Sequence, residues 1–274
     1  MSIVRRIRHF GLCAASAESE LSFHRDLLGL QLAAREPAGA GRERLLFGPS
    51  DDRNEGCISI LCFGSNAPAG RLGGGGPRGA NLSVPEGSLP FWSQRLAAAG
   101  ITVDLVHSLG SKRIEFAHPS GTAYSLVEFG EQRPRSGSRQ IAASEAITGL
   151  HGATISLTDV REAHTFLIEV LDAAHLNQEI AKGDYRLSDH EAASRIELWH
   201  EPYRAPGTWR LGVGTPHHLC LELADADQAD VLHRRLFDFG LSDVAVAAGG
   251  DKEMSMWVRI PGGTLLEFVF GGAR

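Results

Sequence analysis

A strand, a helix and three further strands recur four times along this 274-residue chain, each unit taking about 60 residues. A unit of that size cannot cover both faces of its own strands, so the units must combine. In the first, strands are expected at 8–14, 30–35, 44–47 and 57–63, with a helix at 18–28 ended by Gly29. The second has strands at 80–84, 101–106, 112–117 and 123–129 around a helix at 88–99. The third opens at 149–157, has a helix at 161–171 and closes at 194–200. The fourth begins at Pro216 and has a helix at 226–239, then strands at 244–247, 254–260 and 264–270. The glycine-rich stretch 64–79 reads as a flexible loop, and it lacks the Lys-Ser/Thr of a phosphate loop. Residues 131–146 read as a linker between an N-terminal half (1–130, units one and two) and a C-terminal half (147–274, units three and four).

Side chains alternate across a strand, so each unit's opening strand has a core face and an open face. In Pro216–Leu223 the set Leu219, Leu221 and Leu223 needs an apolar cover, which turns His218, Cys220 and Glu222 the other way. By the same parity His217 points away from that face. The equivalent of His218 is His9 in the first unit and Gly152 in the third, where His151 is one residue off and reads as packed or capping. In the closing strand, Leu266, Phe268 and Phe270 go to the core and Glu267 to the open face; its counterpart in the second unit is Ser125. A carboxylate among apolar neighbours is costly unless paired or metal-bound. His9, His218 and Glu267 thus collect on one face, and two imidazoles with one carboxylate suit non-haem Fe(II), with Mn(II) or Zn(II) fitting the same donors. A buried His–Glu hydrogen bond without metal is the plain alternative. His107, His118, His190 and His200 have no matched partners and read as surface residues.

A net charge of -6 gives no basic stripe for nucleic acid, and no apolar run reaches the ~20 residues of a membrane span. The N-terminus lacks the apolar segment of a signal peptide. Four scattered cysteines are expected as free thiols in a reducing cytoplasm. A homo-oligomer is compatible with the composition.

The motifs "RHFGL" (8–12), "VPEGSLPFW" (84–92), "LHGATISLTD" (150–159), "GVGTPHHLCLEL" (212–223) and "RIPGGTLLEFV" (259–269) cover nearly the whole chain. On them it resembles the vicinal oxygen chelate superfamily of glyoxalases, bleomycin-resistance proteins and extradiol dioxygenases. The closest resemblance is to the four-module ring-cleaving dioxygenases that open hydroquinones. The resemblance implies an α+β fold of four βαβββ modules forming two glyoxalase-like cupped sheets with helices outside. It also implies an Fe(II) enzyme, with His9, His218 and Glu267 as ligands, acting on a small aromatic diol with O2. His217 is then a general acid/base candidate, and Trp257 and Arg259 are candidates to contact substrate. The chain departs from the family pattern at Arg8, Gly11, Gly250 and Trp257. Two other expectations stand beside this one: a glyoxalase-type metal-dependent lyase or isomerase, with Glu222 as a further ligand, and a non-catalytic protein that sequesters an aromatic or drug-like ligand.

Overall fold

The computed structural model describes residues 2–130, 141–188, 194–204, 210–248 and 253–271. His190, Gly250 and the first ten residues of the expected linker lie outside them. Among the described residues, sixteen strands form two eight-stranded sheets. The first unit supplies β1 (Val4–Ala14), β2 (Gln31–Pro37), β3 (Glu43–Gly48) and β4 (Ile58–Cys62). The second supplies β5 (Gly76–Val84), β6 (Val103–Ser108), β7 (Ser111–Ala117) and β8 (Ala123–Glu128). From the third come β9 (Gly149–Leu157), β10 (Ala174–Glu179), β11 (Lys182–Arg186) and β12 (Arg195–His200). The fourth gives β13 (Thr215–Leu223), β14 (Val244–Ala248), β15 (Met254–Arg259) and β16 (Leu265–Phe270).

One sheet runs β14-β15-β16-β13-β1-β4-β3-β2 and the other β10-β11-β12-β9-β5-β8-β7-β6. Each therefore takes one module from either half of the chain, joined by an antiparallel pair of opening strands, β1 with β13 and β5 with β9. Two curled sheets with few helices are the α+β architecture the repeat called for.

The helices are short. α1 (Ala17–Glu20) is capped by Ser16, whose hydroxyl accepts from the Glu18 N–H, and continues as a π-helical stretch at Leu21–Leu27. α2 is Leu89–Ala98 and α4 is Asp227–Asp238; α3 (Arg161–Thr165) again runs into a π-helical stretch, Phe166–Val170. Phe23, Trp92, Phe166 and Leu232 from these helices join Phe10, Leu219, Leu221, Leu266 and Phe268 from the strands in one buried core. Each such side chain contributes roughly 1.5–3 kcal/mol of burial. With this face committed to the core, each sheet's other face is left for polar groups.

The glycine stretch is better ordered than a flexible loop. β5 begins at Gly76, and the Gly75 N–H donates to Ser156 O. A side chain at Gly75 would put its Cβ 2.3 Å from Gly262 O, so glycine is what permits this approach. The edge strand β10 and its neighbour β11 have no counterpart in the expected pattern; in β10, residues 176–179 are all exposed and carry no alternation.

Candidate metal centre

His9 on β1, His218 on β13 and Glu267 on β16 converge although they lie at opposite ends of the chain. Register explains why: His9 lies opposite Cys220, Cys220 opposite Glu267, and His218 opposite Gly11. Gly11 leaves room for the imidazole, since a Cβ there would lie 2.4 Å from His218 Cε1 and Nδ1. The donor atoms are separated by 3.2 Å (His9 Nε2 to His218 Nε2), 3.3 Å (His218 Nε2 to Glu267 Oε2) and 4.0 Å (His9 Nε2 to Glu267 Oε2). A point equidistant from all three lies about 2.1 Å from each, within the ~2.0–2.2 Å range of metal–nitrogen and metal–oxygen bonds. Among the described residues this is the only set of three or more His, Cys, Asp or Glu donors gathered so closely.

The charge states suit a cation. Burial, aided by the nearby positive charge of His218, Arg8 and Arg44, holds His9 well below its usual pKa, so its lone pair is free at neutral pH. Burial works to raise Glu267, but a hydrogen bond from His218 and its charge, the Cys220 thiol and Arg44 outweigh it and keep the carboxyl below its ordinary value. Bound to a metal, both imidazoles would donate neutral nitrogens, and with the carboxylate the set would carry a single negative charge, which fits a divalent ion with further positions open.

His217 overturns the parity expectation. Gly11 pairs with His218 but Leu12 pairs with Pro216, so His217 is the extra residue of a β-bulge. A bulge interrupts alternation and lets consecutive side chains share a side. Accordingly, His217 Nδ1 is 2.6 Å from His218 Nδ1. Burial first, then His218 and Arg259, depress the His217 pKa to about 4, so the ring is neutral near pH 7.

Trp257 lies opposite Glu267 on β15, its ring centroid 5.0 Å from that of His218, with the indole N–H donating to Ser255 Oγ at 3.0 Å. It also borders a cavity of about 310 Å³ that Ala245, Arg259 and Leu265 help to line. Arg259 itself is exposed at the strand end and donates to Gly263 O. Arg8 pairs with Glu253.

Other candidates separate cleanly. Glu222 is held by Arg5 Nη1 at 2.9 Å and Arg6 Nε at 2.7 Å, away from the donor set. His151 is buried against Phe129, in keeping with the packed reading. His107 is exposed, and His200 bonds to Thr158 O. His118 is not a surface residue: it is buried, its ring 4.3 Å from that of Phe23. The second unit's closing turn folds it back onto α1, a long-range contact invisible in its local sequence.

Two participants were missed. Cys220 donates to the Glu267 carboxylate, and its position on the His218 face was the available signal. Arg44 acts on His9, His217 and Glu267 through its charge, and nothing local to β3 marked it out.

No family model matches the sequence. The chain is 28% identical over 275 residues to a chlorohydroquinone/hydroquinone 1,2-dioxygenase of Sphingobium indicum, covering 96% of this chain and 84% of that protein. Its structure superposes on a candidate dioxygenase from Bacillus subtilis with a TM-score of 0.88 at 22% identity, covering 99% of this chain and 87% of the other. Glyoxalase I from Zea mays follows with a TM-score of 0.69 at 11% identity, covering 97% and 92%. Among the described residues no helix is long and apolar enough to cross a membrane.

Proposed function

Because this chain has the fold of the vicinal oxygen chelate superfamily, we propose that it is a metal-dependent ring-cleaving dioxygenase opening a hydroquinone- or catechol-like ring with O2. The observation that carries the reading is the convergence of His9, His218 and Glu267 to metal-bond radius of one point. These residues would hold Fe(II), the metal that suits a two-histidine, one-carboxylate set with open positions. Such an ion acidifies a coordinated ring hydroxyl and relays electrons between the ring and O2.

The chain's own residues supply orientation. With Nε2 given to a metal, the His218 proton sits on Nδ1 and is donated to His217 Nδ1, which fixes the ligand's ring. That leaves the His217 proton on Nε2, where it can serve the oxygens of a bound ring. Cys220 holds the Glu267 carboxylate from the sheet side. Trp257 offers a flat wall beside His218, and Arg259 stands at the rim for an anionic substituent.

The glyoxalase-type alternative needs another carboxylate, and Glu222 is already engaged by two arginines. All four cysteines are buried, reduced thiols, which accords with a reducing cytoplasm. The test is oxygen uptake by protein purified and loaded with Fe(II) without air, across a panel of hydroquinones and catechols. Ring-opened product formed with one O2 consumed per turnover is expected. Turnover of a thiol adduct without oxygen would give the function to the isomerase reading, and an iron-loaded protein inert to every diol would leave only ligand binding.

A further inference from the structure

The second sheet repeats the first strand for strand, so register identifies the matched positions. Ser125 lies opposite Glu115 and Asn81, Asn81 opposite Gly152, and Gly79 opposite Thr154. Glu267, His9 and His218 therefore correspond to Ser125, Gly152 and Gly79, and the triad is gone. The bulge is retained: Pro77 pairs with Ile155 and Gly79 with Thr154, so Arg78 is the extra residue where the first sheet has His217. A cavity of about 350 Å³ occupies this face.

Two of its polar groups lack a protein partner among the described residues. Ser125 lines the cavity, is only 7% exposed, and its hydroxyl has no hydrogen-bond partner among the described residues. Glu115 also lines it, and its buried Oε1 likewise bonds to nothing described. Directly across from Glu115 stands Asp104, a third lining residue. Like charges opposite one another destabilise a sheet. The matched positions in the first sheet are Trp257 and Ala245, so the fold requires neither carboxylate. The one described cation in the lining, Arg78, is already committed: its Nη1 reaches both oxygens of Glu201 at 3.0 and 2.9 Å, and its guanidinium lies 4.8 Å over the Trp199 ring. Trp199, which donates to Glu197 on this face, adds an aromatic wall.

We propose that the second cup is a metal-independent binding site for a small organic ammonium ion, its N–H groups received by Glu115, Asp104 and Ser125 and its apolar body resting on Trp199. A buried oxygen left unpaired is costly, more so when charged, and an ammonium donor removes that cost.

The test is calorimetric titration of the full chain with benzylammonium, benzyl alcohol and benzoate. Benzylammonium is expected to bind at millimolar concentration or below, with the alcohol and the anion at least tenfold weaker. Glu115→Gln should weaken the ammonium at least tenfold and Ser125→Ala several-fold, while Glu267→Gln leaves its affinity unchanged. Should Glu115→Gln fail to fold, Asp104→Asn at an exposed position carries the test, with at least threefold weakening expected. The proposal is overturned by absent ammonium binding, by equal binding of benzyl alcohol, or by carboxylate variants that bind as the parent does. Loss of binding in Glu267→Gln would also overturn it, by moving the ligand to the first cup.

Discussion

His217 and His218 are consecutive residues of one strand, yet their Nδ1 atoms are 2.6 Å apart. Regular alternation would send them to opposite faces, and the β-bulge opposite Gly11 and Leu12 brings them together. If His217 accepts the proton that orients His218 as a ligand, removing it costs metal affinity more than stability. His217→Ala is expected to weaken metal binding about 10–100-fold. His217→Gln, which keeps an acceptor oxygen, should recover part of the loss. Competition against a chelator of known affinity measures both, and wild-type affinity in His217→Ala would refute the role.

Gly11 is a clearance rather than a turn. Its missing side chain leaves the space that the His218 ring fills, with an ideal Cβ only 2.4 Å from ring atoms. Gly11→Ala is expected to cost about 1–3 kcal/mol through overpacking and to push the imidazole off the donor set. Metal content per chain and the denaturant midpoint, measured together, check it: the metal should fall to a small fraction while the fold persists.

Glu267 contributes the only charge of the donor set. Glu267→Gln keeps its shape and its place opposite Cys220 and Trp257 but offers a neutral oxygen. Metal retention should vanish in protein purified without oxygen, with circular dichroism unchanged. Ser125→Ala, at the matched position of the other sheet, should alter neither.

The parity of three leucines was enough to select His218, and the alternation of Leu266, Phe268 and Phe270 was enough to select Glu267, because each reading used only local alternation. Gly152 and Ser125 were also legible as the matched positions, and register sets both opposite Asn81, as His9 and Glu267 both lie opposite Cys220. What stayed hidden depends on partners distant in sequence. The bulge at His217 is set by pairing with β1, about two hundred residues earlier. Burial of His118 depends on α1 closing over it. The ends of α1 and α3 read as ordinary helix, since a π-helical turn changes hydrogen bonding without changing which residues are apolar.

Beneath the second cup, Arg113 Nη1 and Glu197 Oε1 meet at 2.7 Å with both side chains almost wholly buried. Thr154 and Trp199 donate to the other Glu197 oxygen. Removing one partner strands the other charge in a low-dielectric interior. Arg113→Ala is expected to lower unfolding free energy by about 3–5 kcal/mol, read from denaturant midpoints. A change under about 1 kcal/mol would mean that water reaches the pair.

Glu20, His24 and His118 form a buried group in which Glu20 Oε2 lies 3.4 Å from His24 Nδ1 and 3.5 Å from His118 Nε2. Burial pushes the Glu20 carboxyl up to about 7 and holds His24 near about 3 and His118 near about 4. His24 is locked neutral, donating from Nδ1 to Glu20 O and accepting from the Tyr124 hydroxyl at Nε2. Each histidine favours the neutral form when folded, so its stabilisation is full above the ordinary histidine pKa and is lost as pH falls toward 3–4. Glu20 has the opposite sign: its folded pKa is raised, so its stabilisation is full below the ordinary carboxylate pKa and is lost as pH rises toward about 7. Between those limits the two histidines outweigh the one carboxyl, and stability from this group should rise with pH up to about 6.5, then decline slightly. Glu20→Gln removes only the carboxyl's loss. Its melting temperature relative to the parent should therefore climb from pH 5 to pH 8, and a flat difference across that range would mean that Glu20 titrates as an ordinary surface carboxyl.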